Sequence, residues 1–160
     1  MNSGQMFLAI GAMAILTLLT LTINNSIMNS ASISSNSEYT ITGNGVLQSL
    51  VEDMRSRSFD LATVNNPNAT VNDFTAPSGL GPAYGETYPN FNDFDDYNNQ
   101  TITVSTPRAG DYTAYIQVTY VNPDVPDVPV SYRTHAKRAT LRLTNPFMKD
   151  TLRAVCVSSY

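Results

Sequence analysis

Apolar and polar positions divide this chain into four stretches of different period. From Met6 to Ile23 the only polar side chains are Thr17, Thr20 and Thr22, and no charged residue occurs before Glu38. As a helix rising 1.5 Å per residue this stretch covers about 27 Å, close to the ~30 Å hydrocarbon core of a bilayer. The run Thr17–Ile23 is rich in β-branched residues, which disfavours helix in water, but a dry environment forces the backbone to pair within its own segment. Ser3 is placed to cap the first turn, and Gly11 is a weak point inside the rod.

Asn24–Ser37 is polar, with a thin stripe of Ile27, Met28 and Ala31. Leu47, Leu50, Val51, Met54 and Phe59 then recur at helical spacing, and Glu52, Asp53, Arg55 and Arg57 take the opposite face. These patterns predict one long helix from about Ser3 to about Phe59, weakest at Gly43–Gly45. Its front is apolar on all sides and its end on one side only, so the end requires a globular layer to lie against. Residues 60–100 lack a period and abound in Asn, Pro, Gly and Asp, which predicts an exposed loop region.

Beyond residue 100 the period becomes two. "TITVST", "DYTAYIQVTYV", "VSYRTHAKRATLRLT" and "TLRAVCVS" read as four antiparallel strands in meander order. The prolines of "NPDVPDVP" interrupt the ladder. The expected fold is therefore α+β: a long N-terminal helix packed on a four-stranded antiparallel sheet. The expected organisation is an apolar helix over residues 1–25, its amphipathic continuation over 26–59, a surface loop region over 60–100 and the sheet over 101–160.

Charge narrows the function classes. A net charge of −4 argues against general nucleic-acid binding. Residues 59–128 hold nine acids and one base, whereas residues 129–160 hold six bases and one acid. Two solvated faces of one domain would give this split, as would head-to-tail attraction between subunits. Cys156 is the only cysteine, which excludes an intramolecular disulfide and leaves stability to the core or to an assembly. Its alternation with Ala154 and Ser158 marks a buried structural thiol.

Little catalytic chemistry is visible. His135 is the only histidine, so a transition-metal site lacks ligands, and it reads as a surface or edge residue. An enzyme would require the 60–100 loop to wall a pocket around it. In "NDFDDYNNQ", Asp93, Asp95 and Asp96 offer hard oxygen ligands suited to calcium, without the spacing of an EF-hand. The alternative is a solvated acidic turn. Asn24, Asn68 and Asn99 each begin an Asn-x-Ser/Thr triplet, and Asn68 and Asn99 are the glycosylation candidates.

Three stretches together resemble the type IV pilins and pseudopilins: "MNSGQMFLAIGAMAILTLLTLTI" at the front, "GVLQSLVEDMRSRSFD" at the helix end, and "AKRATLRLTNPFMKDTLRAVCVSSY" as a closing hairpin. The resemblance implies a structural subunit, not an enzyme, that polymerises into an extracellular filament on the cell surface. It implies residence in the inner membrane before assembly. The implied partners are copies of itself, an assembly platform and a prepilin peptidase that leaves a methylated Met1. The assembly residues would be Met1, Gln5, Phe7, Ala9, Gly11, Ala12, Leu16 and Leu19, the small ones allowing close helix approach. The family usually carries glutamate as the fifth mature residue, pairing with a neighbour's terminal amine. Gln5 keeps a hydrogen-bond acceptor there but loses the charge. A minor pseudopilin of a type II secretion system and a single-pass anchored β-domain that binds a partner are the alternatives.

Overall fold

The computed structural model describes residues 2–160; Met1, expected to take part in assembly, lies outside the described residues. The chain divides into two compact units, one ending at Glu38 and the other spanning Tyr39–Tyr160. Helix α1 runs Ser3–Ser56 without a break at Gly43 or Gly45. It ends three residues before Phe59, because Ser58 leaves the helix to form a parallel bridge with Asp93.

In the first unit the cap falls on Asn2 rather than Ser3. The Asn2 carbonyl accepts from Gln5 N–H at 2.9 Å and Met6 N–H at 3.3 Å. Gln5 Oε1 in turn accepts from Asn2 N–H at 3.4 Å, the returning half of a capping box.

The second unit is a helix-on-sheet layer. Strands β1 (Gln100–Thr106), β2 (Gly110–Asn122), β4 (Ala136–Thr144) and β5 (Leu152–Ser159) lie in the order β1-β2-β4-β5, every pair antiparallel. This is the expected α+β fold, with one strand more than the pattern predicted. Val125–Pro129 forms a short β3 paired only with β2, through Val121↔Pro129 and Asn122↔Val125. An edge strand leaves one side unpaired, so its prolines are tolerated, and the next strand starts at Ala136.

Val46, Leu47, Leu50 and Met54 of α1 lie in one buried cluster with Ile102, Tyr112, Ala114, Ile116, Val118, Ala139, Leu141, Leu143 and Cys156 of the sheet. Residues 60–100 are more than an exposed loop. They contain a short helix α2 (Leu61–Asn65), and Phe91, Phe94 and Tyr97 enter the core while Phe74 joins Phe59 and Tyr120 in a second cluster.

Gly43 is the point of close approach between α1 and the sheet. A Cβ there would meet Leu152 Cδ1 at 2.8 Å and Tyr112 Cε1 at 3.1 Å, whereas one at Gly45 would meet nothing within 4 Å. Gly45→Ala should therefore raise stability by about 1 kcal/mol through helix propensity alone. Gly43→Ala should forfeit that gain, leaving the two variants at least about 1 kcal/mol apart in urea denaturation.

Candidate functional site

Two features could carry function, one in each unit. The first is the surface of α1 over residues 3–35, where every residue is exposed. Phe7 is 72% exposed, Leu16 65% and Leu19 54%, and Ala9, Gly11 and Ala12 are exposed beside them. An 18-residue window of this helix has a mean hydropathy of 2.3, so it is long and apolar enough to cross a membrane. The three polar side chains of its apolar stretch Met6–Ile23 are satisfied internally. The hydroxyls of Thr17, Thr20 and Thr22 donate to the carbonyls of Met13, Leu16 and Leu18, each at 2.8 Å. Such back-bonding removes the cost of carrying a hydroxyl into an apolar medium.

The second feature is a buried charge network that the alternation of β4 could have revealed. Lys137 shares its side of the strand with Ala139, Leu141 and Leu143, and it lies opposite Tyr120 on the core face. Its side chain is fully buried, with Nζ 2.6 Å from Asp60 Oδ2 and 2.5 Å from Asp95 Oδ1. The Phe59 carbonyl accepts a third bond at 3.0 Å. The rings of Phe59 and Tyr120 stand 4.6 Å and 5.2 Å from the ammonium and complete an aromatic wall.

The carboxyls around Lys137 divide by environment. Burial pushes the Asp60 carboxyl up, but the hydrogen bond and charge of Lys137 outweigh it and hold it below the usual range. Thr75 N–H at 2.9 Å and Ala62 N–H at 3.1 Å add to that effect, the latter as the cap of α2. Burial raises the Asp95 carboxyl against the pull of Lys137. Asp93 is pushed to about 8, by burial first and then by the Asp95 charge. Asp93 Oδ1 accepts from the N–H groups of Asp95 and Asp96 at 2.9 and 3.2 Å. Burial also raises Asp96, although it accepts from Asn92 and Asp93 N–H. Of these four buried carboxyls, Asp60 and Asp95 contact Lys137 and Asp93 lies beside Asp95, and like charges at close quarters favour protons on some of them.

Asp93, Asp95 and Asp96 are therefore neither a solvated turn nor an open ligand cage. They are 2% exposed, turned inward, and occupied by backbone N–H groups and by Lys137. Among the described residues no group of three or more His, Cys, Asp or Glu is disposed to hold a metal ion. The segregation of acids and bases along the chain is partly consumed here, and again where Arg138 meets Asp127 at 3.4 Å.

The remaining expected positions are dispersed. His135 is exposed and stacks on Tyr160 at 6.3 Å, and the neighbouring strand residue Ala136 pairs with Ser159. Cys156 lies opposite Ala139, buried, its thiol raised to about 11 by desolvation. Asn24, Asn68 and Asn99 are exposed, and Asn99 Oδ1 accepts from Tyr115 Oη at 3.1 Å.

No family model matches the chain, and no curated protein or solved structure is detectably similar to it.

Lys137→Met should cost at least about 3 kcal/mol, because it strands Asp60 and Asp95 in the interior, and adding Asp95→Asn should recover part of that loss. Denaturant midpoints of the single and double variants measure it. The pH dependence has two limbs. Asp93 is raised above its unfolded value of 3.8, so its contribution is complete at low pH and is lost as pH climbs towards about 8. Asp60 is depressed, so its contribution is present above the ordinary carboxylate range and lost as pH falls through its folded value. Asp93→Asn keeps the acceptor and removes its titration, and should make the alkaline limb of a plot of Tm against pH shallower, with Asp95 and Asp96 supplying the remainder, while leaving the acid limb.

Proposed function

We propose that this chain is the structural subunit of a type IV pilus-like extracellular filament, held together by its N-terminal helix. The observation that carries the proposal is the exposure of the entire apolar surface of residues 3–35, beside a unit that completes its core without it. Apolar surface contributes about 25 cal/mol per Å² when removed from water, so a rod of this kind needs a second solvent. A bilayer supplies one; a bundle of identical helices supplies another. The small residues Ala9, Gly11, Ala12 and Ala14 favour the bundle, since they let backbones approach where lipid would be indifferent to size.

Gln5 fits an assembly in which the fifth residue closes its own helix end. Its side-chain oxygen is taken by Asn2 N–H, which leaves no need to match a buried carboxylate with a neighbour's amine. In this proposal the Tyr39–Tyr160 unit is the outer layer of the filament. The partners are then other copies of the chain, and before assembly the inner membrane with an assembly platform and a prepilin peptidase.

Gly11→Leu tests the proposal, because a Cβ added at Gly11 meets nothing within 4 Å. The variant stays apolar and should enter the membrane normally, while filament recovered by shearing should fall at least about tenfold, the effect of ~1.4 kcal/mol lost per helix contact. Electron microscopy of the sheared fraction, beside the amount of folded subunit in the membrane fraction, reads both effects. Wild-type protein found only as a detergent-solubilised monomer with residues 1–25 intact would overturn the proposal in favour of an anchored single domain.

A further inference from the structure

We propose that Lys137 and Asp95 join through an intramolecular amide between Lys137 Nζ and the side-chain carboxyl of Asp95, so that β4 becomes covalently tied to the turn Asp95–Tyr97. The geometry supplies each part of such a reaction. Nζ lies 2.5 Å from Asp95 Oδ1, which brings the amine within reach of the carbon bonded to that oxygen. The site is dry: Lys137 is 0% exposed, Asp60 0%, and Asp93 and Asp95 each 2%. Phe59 and Tyr120 flank the amine. Water, which would favour the separated ions and hydrolysis, is therefore excluded from the reacting pair.

Asp95 is the acceptor, and Asp60 the base, because their surroundings differ. Asp60 is held as a carboxylate by Thr75 N–H at 2.9 Å, Thr75 Oγ1 at 3.2 Å and Ala62 N–H at 3.1 Å. Those donors keep it satisfied once the lysine charge is gone. Asp95 is not held by such a set of N–H donors, and its side chain is hydrogen-bonded to that of Asp93, which thereby stands as the proton source. A resonance-stabilised carboxylate is a poor electrophile, whereas a protonated carboxyl can lose its hydroxyl as water.

The steps balance. Asp93 passes its proton to Asp95, and the Lys137 ammonium passes one to Asp60. The freed Nζ lone pair forms a bond to Asp95 Cγ, and the nitrogen returns a proton to Asp93. The Cγ–OH bond then breaks, and the hydroxyl takes the proton held on Asp60 and leaves as water. Asp60 ends as a carboxylate and Asp93 protonated, both as they began. The net change is the loss of one water, with no oxidant or cofactor. The buried cation and one buried anion disappear together, and the Asp60 carboxylate that remains keeps its donors from Ala62 and Thr75.

Such a link would do for this chain what disulfides cannot, since Cys156 is its only cysteine. It would close the loop between Asp95 and Lys137 and tether the segment between them under tension along a filament.

Peptide mapping by tandem mass spectrometry of the full chain, purified folded in detergent and then denatured, tests the proposal. The expected result is a branched peptide joining the Asp95 and Lys137 segments, one water lighter than the sum of its arms, with Lys137 resistant to trypsin. Asp93→Asn retains the acceptor oxygen but not the proton, and should yield at least tenfold less of the branched peptide. Circular dichroism confirms that this variant has folded. A folded wild type that releases unmodified Lys137 and Asp95 peptides quantitatively overturns the proposal. So would an undiminished link in Asp93→Asn, as regards the assigned proton source. A branched peptide joining Lys137 to Asp60 would overturn the choice of acceptor.

Discussion

An ammonium group that cannot reach water must be surrounded by groups that replace water, and Lys137 imposes that requirement on the whole Tyr39–Tyr160 unit. Its position on the core face of β4 is set by strand alternation, in phase with Ala139, Leu141 and Leu143. The residues answering it come from three distant places: Phe59 and Asp60 just beyond α1, Asp95 in the turn before β1, and Tyr120 on β2. The segment 60–100 is thereby held against the sheet. Removing Lys137 takes the counter-ion from two buried carboxyls at once, whereas removing one carboxyl leaves the other still paired with the ammonium.

The aromatic residues of this segment follow from the same arrangement. Phe91, Phe94 and Tyr97 fill the core beside Met54 and Leu50, and Tyr97 Oη donates to Asp53 Oδ2 at 2.6 Å. Asp53 in turn pairs with Arg57 at 2.7 Å. The last turn of α1, the bridge from Ser58 to Asp93 and the buried carboxyls thus form one continuous set of contacts. A unit without disulfides keeps an irregular forty-residue connection ordered by giving it both an apolar and an ionic anchor.

The two units meet opposite solvation problems. In Tyr39–Tyr160 charge is hidden and must be matched from within. Over residues 3–35 apolar surface is exposed and can be matched only from outside the chain. The threonine hydroxyls of Met6–Ile23 are already closed onto the helix's own carbonyls, so what that stretch presents is shape and apolar contact, with small residues towards its front. Assembly of copies through this surface joins the two halves of the chain into one proposed role.

Patterns within a dozen residues determined much of this protein. The length of the apolar run, the one-sided stripe of Leu47, Leu50 and Met54, and the alternation in β2, β4 and β5 define the elements, because side-chain direction repeats with the backbone period. The short β3 escaped that logic, since its prolines become acceptable only when a single neighbour pairs with it. The burial of Asp93, Asp95 and Asp96 escaped it too. Local composition makes "NDFDDYNNQ" look like water-facing turn, and only the arrival of a lysine 42 positions further along the chain reverses that. Lys137 itself was legible by its phase, but its partners were not. Local sequence dictates which way a side chain points; what it meets there depends on the fold bringing separated segments together, and that is where the tertiary structure decided.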